Sequence, residues 1–325
     1  MERPILEVSN LSIVHSAEGV ETTLLDDLSY SVFPGETLAI VGESGSGKSL
    51  SSLAIMGLLS YELRVTKGSV NFEGVDLLTL SNEEMRQRRG RDISMVFQEP
   101  MTSLNPVRNI GSQITESIEE NLGLSKAAAR SRAIDLLKEV GIADADRRMR
   151  QYPHHFSGGM RQRVMIAIAL AAEPKLIVAD EPTTALDVTI QAQILDLMAK
   201  VCADHGAALI LITHNLGIVA RYAKRVNVMY GGRIVETGTA ADIYHRPRHH
   251  YTRGLLSSIP RLDQSRANRL QPIWGNPADP FAPISGCRFH PRCSAMHPKC
   301  KSERPLFNGR IACHFPLLIK EKVEG

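Results

Sequence analysis

Short, wholly apolar runs recur along most of the chain. Thr37-Leu38-Ala39-Ile40-Val41, Leu176-Ile177-Val178-Ala179 and Ala208-Leu209-Ile210-Leu211-Ile212 lack the in-out alternation of a one-sided sheet. Runs apolar on both faces fit strands buried in a parallel sheet with helices on either side. Residues 185–204, between the last two, have the spacing of an amphipathic helix. Gly111 to Val140 carries charges at short intervals (Glu116, Glu119, Glu120, Lys126, Arg130, Arg132) and predicts a mostly helical lobe. The expected fold is α/β with a mainly parallel sheet and a helical subdomain at about residues 100–165.

This pattern stops near Arg246-Pro247. Beyond it, Pro272, Pro277, Pro280, Pro283, Pro291, Pro298, Pro305 and Pro316 exclude long helices. Cys287, Cys293, Cys300 and Cys313 fall in the same stretch, while Cys202 stands alone in a helix-like segment and reads as a small buried hydrophobe. The division expected is a large unit, 1–245, and a small irregular Cys/Pro-rich unit, 246–325.

Composition narrows the class without naming it. The 325 residues hold 38 Lys+Arg against 35 Asp+Glu, a net charge of +3, with 43% hydrophobic and 22% charged residues. Such values exclude a disordered tail, a collagen-like fibre and a supercharged nucleic-acid binder. The longest clearly apolar run, Val164 to Ala172, is closed by Arg163 and Glu173. That is far below the roughly 18 residues of a membrane span. The N-terminal MERPILEVSN is acidic and strand-like rather than a basic segment followed by an apolar one, so no secretory signal and a cytoplasmic location are expected.

Gly42-Glu43-Ser44-Gly45-Ser46-Gly47-Lys48-Ser49 fits G-x-x-x-x-G-K-[ST], between an apolar strand and the helical run Leu50 to Leu59. Glycines let the backbone N–H groups of a tight loop face one point, and the following helix start adds positive potential for phosphate. Lys48 would reach the β and γ phosphates of ATP, and Ser49 would ligate Mg²⁺. The apolar strand Leu176–Ala179 ends in Asp180-Glu181. Adjacent carboxylates there need a positive partner, which Mg²⁺ and Lys48 supply. Asp180 would hold the metal, and Glu181 would orient and deprotonate the attacking water.

Phe156-Ser157-Gly158-Gly159-Met160, at a helix start 23 residues before Asp180, resembles the LSGGQ signature of ABC transporter ATP-binding subunits. Gln98 resembles that family's Q-loop glutamine, Ala185-Leu186-Asp187 its D-loop, and His214 its switch histidine, all in the family's order. Two departures are Met160 in place of Gln and Asn215 in place of the common Asp. The resemblance implies a head-to-tail dimer in which each ATP lies between one subunit's phosphate loop and the other's Ser157, Gly158, Gly159 and Asp187. It implies Gln98 as a catalytic residue and Mg²⁺ ligand, and His214 as a catalytic residue. It also implies an adenine-stacking ring near residues 13–24, where His15 offers one.

Gln98 to Pro106, Tyr152 to Gly159 and Arg248 to Leu256 narrow the resemblance to the peptide and nickel importer branch, most like its dipeptide or oligopeptide permease ATPases. That branch implies ATP-driven uptake through two separate membrane permease subunits. It further implies a second related ATPase subunit (hetero- or homodimeric), an external substrate-binding protein and no nucleic acid. The chain would sit peripherally on the cytoplasmic face of the inner membrane, with residues around Glu99 to Glu119 receiving a permease helix. The same machinery serves nickel, glutathione and antimicrobial peptides. The rival of another class is a soluble ABC ATPase acting on DNA or ribosomes, against which the near-neutral charge stands.

The cysteine spacing is C-x5-C-x6-C-x12-C. In a reducing compartment four such cysteines favour a metal over disulfides. Tetrahedral zinc, a [4Fe–4S] cluster and free thiols are the alternatives. The missing C-x2-4-C knuckle leans towards the cluster, and the importer-branch resemblance points the same way.

Overall fold

The computed structural model describes residues 3–17, 19–98, 103–184, 186–259, 272–282 and 284–318. The strands are β1 (Leu6–Ala17), β2 (Val20–Val32), β3 (Thr37–Val41), β4 (Leu63–Phe72), β5 (Val75–Asp76), β6 (Ile93–Val96), β7 (Leu176–Asp180), β8 (Ala208–Thr213), β9 (Arg225–Tyr230) and β10 (Arg233–Thr239). They form a four-stranded sheet in the order β2-β1-β4-β5 and a six-stranded sheet in the order β10-β9-β3-β8-β7-β6. The first sheet is antiparallel. In the second, β6, β7, β8, β3 and β9 run parallel, and β10 closes the edge antiparallel to β9.

Alternate residues of the central strands feed different cores. Leu176 and Val178 of β7 pack with Leu38, Ile40, Ile210 and Ile212 towards the antiparallel sheet and the helix Lys48–Ile55. Ile177 and Ala179 pack with Leu209 and Leu211 towards a helical layer. This explains why these runs lack polar alternation: both faces are covered. Each buried Leu, Ile or Val contributes about 1.5–3 kcal/mol, so the sheet centre is the firm platform under the loops that leave its strands.

The helical layer is built from Ile110–Leu122, Lys126–Glu139 and Gly158–Leu170. The first two are capped by Asn109 and Ser125, whose side chains accept from Ser112 N and Ala128 N. Ile110, Ile114 and Ile118 recur on one buried face.

The C-terminal stretch is sewn to the outer strand. Ala312 N donates to Val235 O at 2.9 Å, and Thr237 N to Arg310 O at 2.8 Å. Glu236 accepts from Arg248 N at 2.7 Å and His249 N at 2.9 Å. Phe289 is buried against Tyr230 and Tyr251 in a third core. Burial drives the His249 imidazole down to about 3, so it stays neutral there. Among the described residues no helix is long and apolar enough to cross a membrane.

Candidate active site

The loop Gly42–Ser49 leaves the C-terminal end of β3 and enters the helix Lys48–Ile55, at the carboxyl ends of the parallel strands. Gly47 caps that helix with φ 98°, a left-handed conformation, and a Cβ there would meet Leu25 Cδ2 at 2.5 Å. At Gly42 a Cβ would collide with the Met229 carbonyl. Both glycines are therefore needed to fold the loop against the strands behind it.

Lys48 is 4% exposed, and its Nζ donates to Gly42 O at 2.8 Å and Glu43 O at 3.0 Å. Burial pulls its pKa down, and the carboxylates of Glu181, Asp180 and Glu43 oppose that pull. Ser49 Oγ donates to Asp180 Oδ1 at 2.9 Å. Burial pushes Asp180 above the ordinary carboxylate value; the Ser49 hydrogen bond opposes this, neighbouring Glu181 adds to it and Lys48 opposes it. A hydroxyl and a buried carboxyl joined in this way are hard oxygen donors suited to Mg²⁺.

Glu181 follows β7 with φ 45°, an uncommon left-handed backbone for a non-glycine residue. Its carboxylate gathers the remaining polar groups. Oε1 lies 3.9 Å from Lys48 Nζ. Oε2 accepts from Thr184 Oγ1 at 2.8 Å and Gln98 Nε2 at 3.4 Å, and lies 3.2 Å from His214 Nδ1. Gln98, Glu181 and His214 follow the ends of the adjacent strands β6, β7 and β8, which is how residues so distant in sequence meet.

One cleft is lined by Glu43 through Leu50 together with Gln98, Glu181, Thr184 and His214. The signature residues do not line it. Ser157 caps the helix Gly158–Leu170, its Oγ accepting from Met160 N at 3.4 Å. Cβ atoms on Gly158 and Gly159 would meet Leu186 Cδ2 at 3.3 Å and Ile190 Cγ2 at 2.9 Å, so this helix start lies against the start of Val188–Asp204. Asp187 caps that second helix, accepting from Ile190 N at 3.0 Å. Of the D-loop, Ala185 lies outside the described residues, as do Glu99 to Thr102 after Gln98.

His15 lies on β1, its Nε2 3.5 Å from Glu62 Oε2. It meets the edge of Phe281, ring centroids 5.6 Å apart. Phe281 is 61% exposed and lines the phosphate-loop cleft with Leu24 and Ile273. This second ring was missed in the sequence because it lies in the Pro-rich segment, far from the strand it faces. The available signal was an aromatic side chain in a stretch with no apolar periodicity.

Cys287, Cys293, Cys300 and Cys313 line one small cavity with His249 and His290. Burial raises the thiols of Cys287 and Cys293 and pushes Cys313 up to about 11, which favours the neutral form over the ligating thiolate. Among the described residues no group of three or more His, Cys, Asp or Glu is arranged to hold a metal ion. The cysteines thus share a cavity without forming a ready-made ligand cage. Cys202 is buried and pushed up to about 12 by burial alone.

Residues 25–184 match the ABC transporter family model, and residues 235–300 match that of the oligopeptide/dipeptide transporter C-terminal region. The chain is 48% identical over 318 residues to the dipeptide transport ATP-binding protein DppD of Escherichia coli, covering 96% of this chain and 97% of that one. The chain belongs to the ABC transporter ATP-binding proteins of the dipeptide/oligopeptide branch. It is accordingly an ATPase subunit. The oligopeptide transport ATP-binding protein OppD of Bacillus subtilis is 52% identical over 305 residues, 93% of this chain and 85% of that protein. A dimeric ATP-binding cassette, MJ0796, solved in a post-hydrolysis state with ADP and phosphate, superposes with a TM-score of 0.65 at 26% identity, covering 72% of this ABC ATPase and 98% of that chain.

Proposed function

We propose that this ABC ATPase drives uptake of di- and oligopeptides through separate membrane permeases, using ATP clamped between two ATPase subunits. The observation that carries the reading is the Glu181 carboxylate, with Lys48, Gln98, Thr184 and His214 around it at the mouth of the phosphate loop. ATP would lie along Glu43 to Ser49, its β and γ phosphates on Lys48 and its base beside His15 and Phe281. Ser49, Asp180 and Gln98 are the Mg²⁺ donors in this reading; the ion would supply charge neutralisation of the phosphates. Glu181 takes a proton from water, the water oxygen attacks the γ-phosphorus, and ADP leaves. His214 and Gln98 hold the carboxylate and the water in line.

Closure belongs to the same reading. Ser157, Gly158, Gly159 and Asp187 lie at helix starts outside the cleft, and a helix N-terminus is an anion site. A second subunit would bring them over the γ-phosphate, and hydrolysis would release them. The dimeric MJ0796 structure supports this arrangement by analogy. Units 1–245, with its helical part at about 100–165, and 246–325 are the parts of the machine so proposed.

Peptide substrates rest on the relatives' names and the C-terminal match. Two permease subunits, a related ATPase partner (hetero- or homodimeric) and an external binding protein follow from the importer-branch resemblance. Exposed Phe97 and Val107, flanking the stretch after Gln98, supply apolar surface for a permease helix at the cytoplasmic face of the inner membrane. A [4Fe–4S] cluster on Cys287, Cys293, Cys300 and Cys313, with zinc as its alternative, rests on the branch resemblance and on the four side chains lining one cavity. The raised thiols and the missing ligand cage among the described residues speak against it. The test is uptake of a labelled dipeptide into vesicles carrying the chain with peptide-importer permeases, a related ATPase and an external binding protein. Uptake that needs ATP and disappears with Glu181→Gln is expected; ATP hydrolysis that accompanies another solute but no peptide would replace the substrate class.

A further inference from the structure

Glu43, the second residue of the phosphate loop, is held from outside the nucleotide-binding core. Arg292 reaches it from the C-terminal segment, Nη1 donating to Oε2 at 2.6 Å and Nη2 to Oε1 at 3.0 Å. This is a two-pronged pair, and Arg292 is 5% exposed in its side chain. The guanidinium is itself fixed: Nε donates to Trp274 O at 3.1 Å, Nη2 to Ile273 O at 3.3 Å, and its Cζ lies 5.8 Å from the Tyr230 ring centroid. From the helix His250–Ser257, the fully buried Tyr251 accepts from Glu43 N through its hydroxyl at 2.8 Å. The Glu43 carbonyl takes the third contact, from Lys48 Nζ.

The Lys48 contact is the one that a triphosphate must disturb. A lysine turning to the phosphates gives up part of its hold on the Gly42 and Glu43 carbonyls. The loop then keeps its shape only if its backbone is anchored elsewhere. Tyr251 and Arg292 are those anchors, and both come from residues C-terminal to 245.

We propose that Arg292 is a positioning residue for the phosphate loop: by clamping Glu43 it makes the C-terminal segment a working part of the ATP site. The proposal rests on the placement of ATP along Glu43 to Ser49. It goes beyond that placement by assigning nucleotide affinity to a residue that touches no nucleotide. The Arg292 stem fills the same space as methionine, so Arg292→Met removes the fork while keeping bulk. Lysine keeps the charge and only one prong.

The experiment titrates fluorescent mant-ATP with Mg²⁺ into the full-length protein and measures ATPase kinetics and thermal melting on the same samples. Arg292→Met is expected to weaken mant-ATP about tenfold and to raise KM in parallel, with kcat at saturating ATP kept within about threefold. Arg292→Lys recovers part of the affinity. Glu43→Gln and the double variant lose no more than Arg292→Met alone, because all three break one contact. Wild-type affinity in Arg292→Met, a fall in melting temperature and kcat with affinity intact, or additive losses in the double variant would each overturn the proposal alone. A wild-type protein that bound no nucleotide would overturn the ATP placement with it.

Discussion

His214 Nδ1 lies 3.2 Å from Glu181 Oε2, so the residue after β8 touches the carboxylate after β7. A carboxylate held by a neighbouring ring keeps one orientation, and the left-handed backbone at Glu181 aims it at Lys48 rather than away from the sheet. The histidine side of the contact is open to solvent, His214 being 54% exposed in its side chain against 14% for Glu181.

From that geometry Glu181→Gln is expected to bind MgATP with affinity near wild type and to lose hydrolysis. Glutamine preserves the contact to Thr184 and to Gln98 but does not accept a proton at neutral pH. Removing a general base costs about 10²–10⁴-fold in rate. Single-turnover hydrolysis of radiolabelled ATP, read alongside size-exclusion of the ATP-loaded protein, checks it. Full turnover in the variant would move the base elsewhere.

The signature helix gives a different pattern in experiment. Gly159→Ala pushes a Cβ to 2.9 Å from Ile190 Cγ2, so the helix start must shift by a few tenths of an ångström. Because Gly159 does not line the cleft of its own chain, mant-ATP affinity of the isolated subunit should hold within about twofold while ATPase activity of the assembled dimer falls at least tenfold (roughly 1.4 kcal/mol in the barrier). Equal losses in affinity and turnover would mean that Gly159 acts within its own subunit.

Much of this site is legible in sequence because its parts sit at strand ends. Val41, Ala179 and Ile212 close runs buried on both faces, and a short uninterrupted apolar run rich in Ile and Val fits such a strand. The residues just after each run therefore fall on one rim of one sheet. The antiparallel sheet was not legible in the same way beyond its first residues. β1 and β2 carry Glu7, Ser9, Asn10, Asp26 and Asp27 among their apolar positions, and the pairing shifts register between Val8 and Val14. Bulges of that kind break the two-residue period on which strand reading depends. The roles of Arg292, Tyr251 and Phe281 were hidden for another reason. Arg292 Nη1 lies 2.6 Å from Glu43 Oε2 across 249 residues, and no local pattern encodes a contact of that range.

The cysteine cavity separates two outcomes cleanly. Protein purified without oxygen should be brown and carry about four irons per chain if the four thiols hold a cluster. Binding would also have to draw the thiols together and deprotonate them against the burial that now raises Cys287, Cys293 and Cys313. Cys300→Ser should then bleach the protein and lower its melting temperature. One zinc per colourless chain would assign the cavity to zinc, and metal-free protein of unchanged stability would leave the cysteines as packing.

Asp180 should cost the nucleotide-free protein stability in a pH-dependent way. Its carboxyl is buried and its pKa lies above the ordinary 3.8, chiefly through desolvation, with Glu181 adjacent. A carboxyl whose folded pKa is raised binds its proton more tightly in the folded state. Ionising it therefore favours unfolding, and that penalty is complete once the pH exceeds the folded value. Below 3.8 both states are protonated and the penalty vanishes. Asp180→Asn keeps an acceptor for Ser49 Oγ while removing the charge. The variant is expected to melt above wild type at pH near 7, by about 2–4 °C for each kcal/mol released, and to lose that advantage in acid. Mg²⁺ with ATP should reverse the order, because the metal needs the carboxylate that the empty site would be more stable without. Calorimetric melting of both proteins across this pH range, with and without MgATP, reads each part. A variant that melted below wild type at neutral pH without nucleotide would mean that Lys48 and Ser49 already stabilise the ionised carboxylate more than burial opposes it.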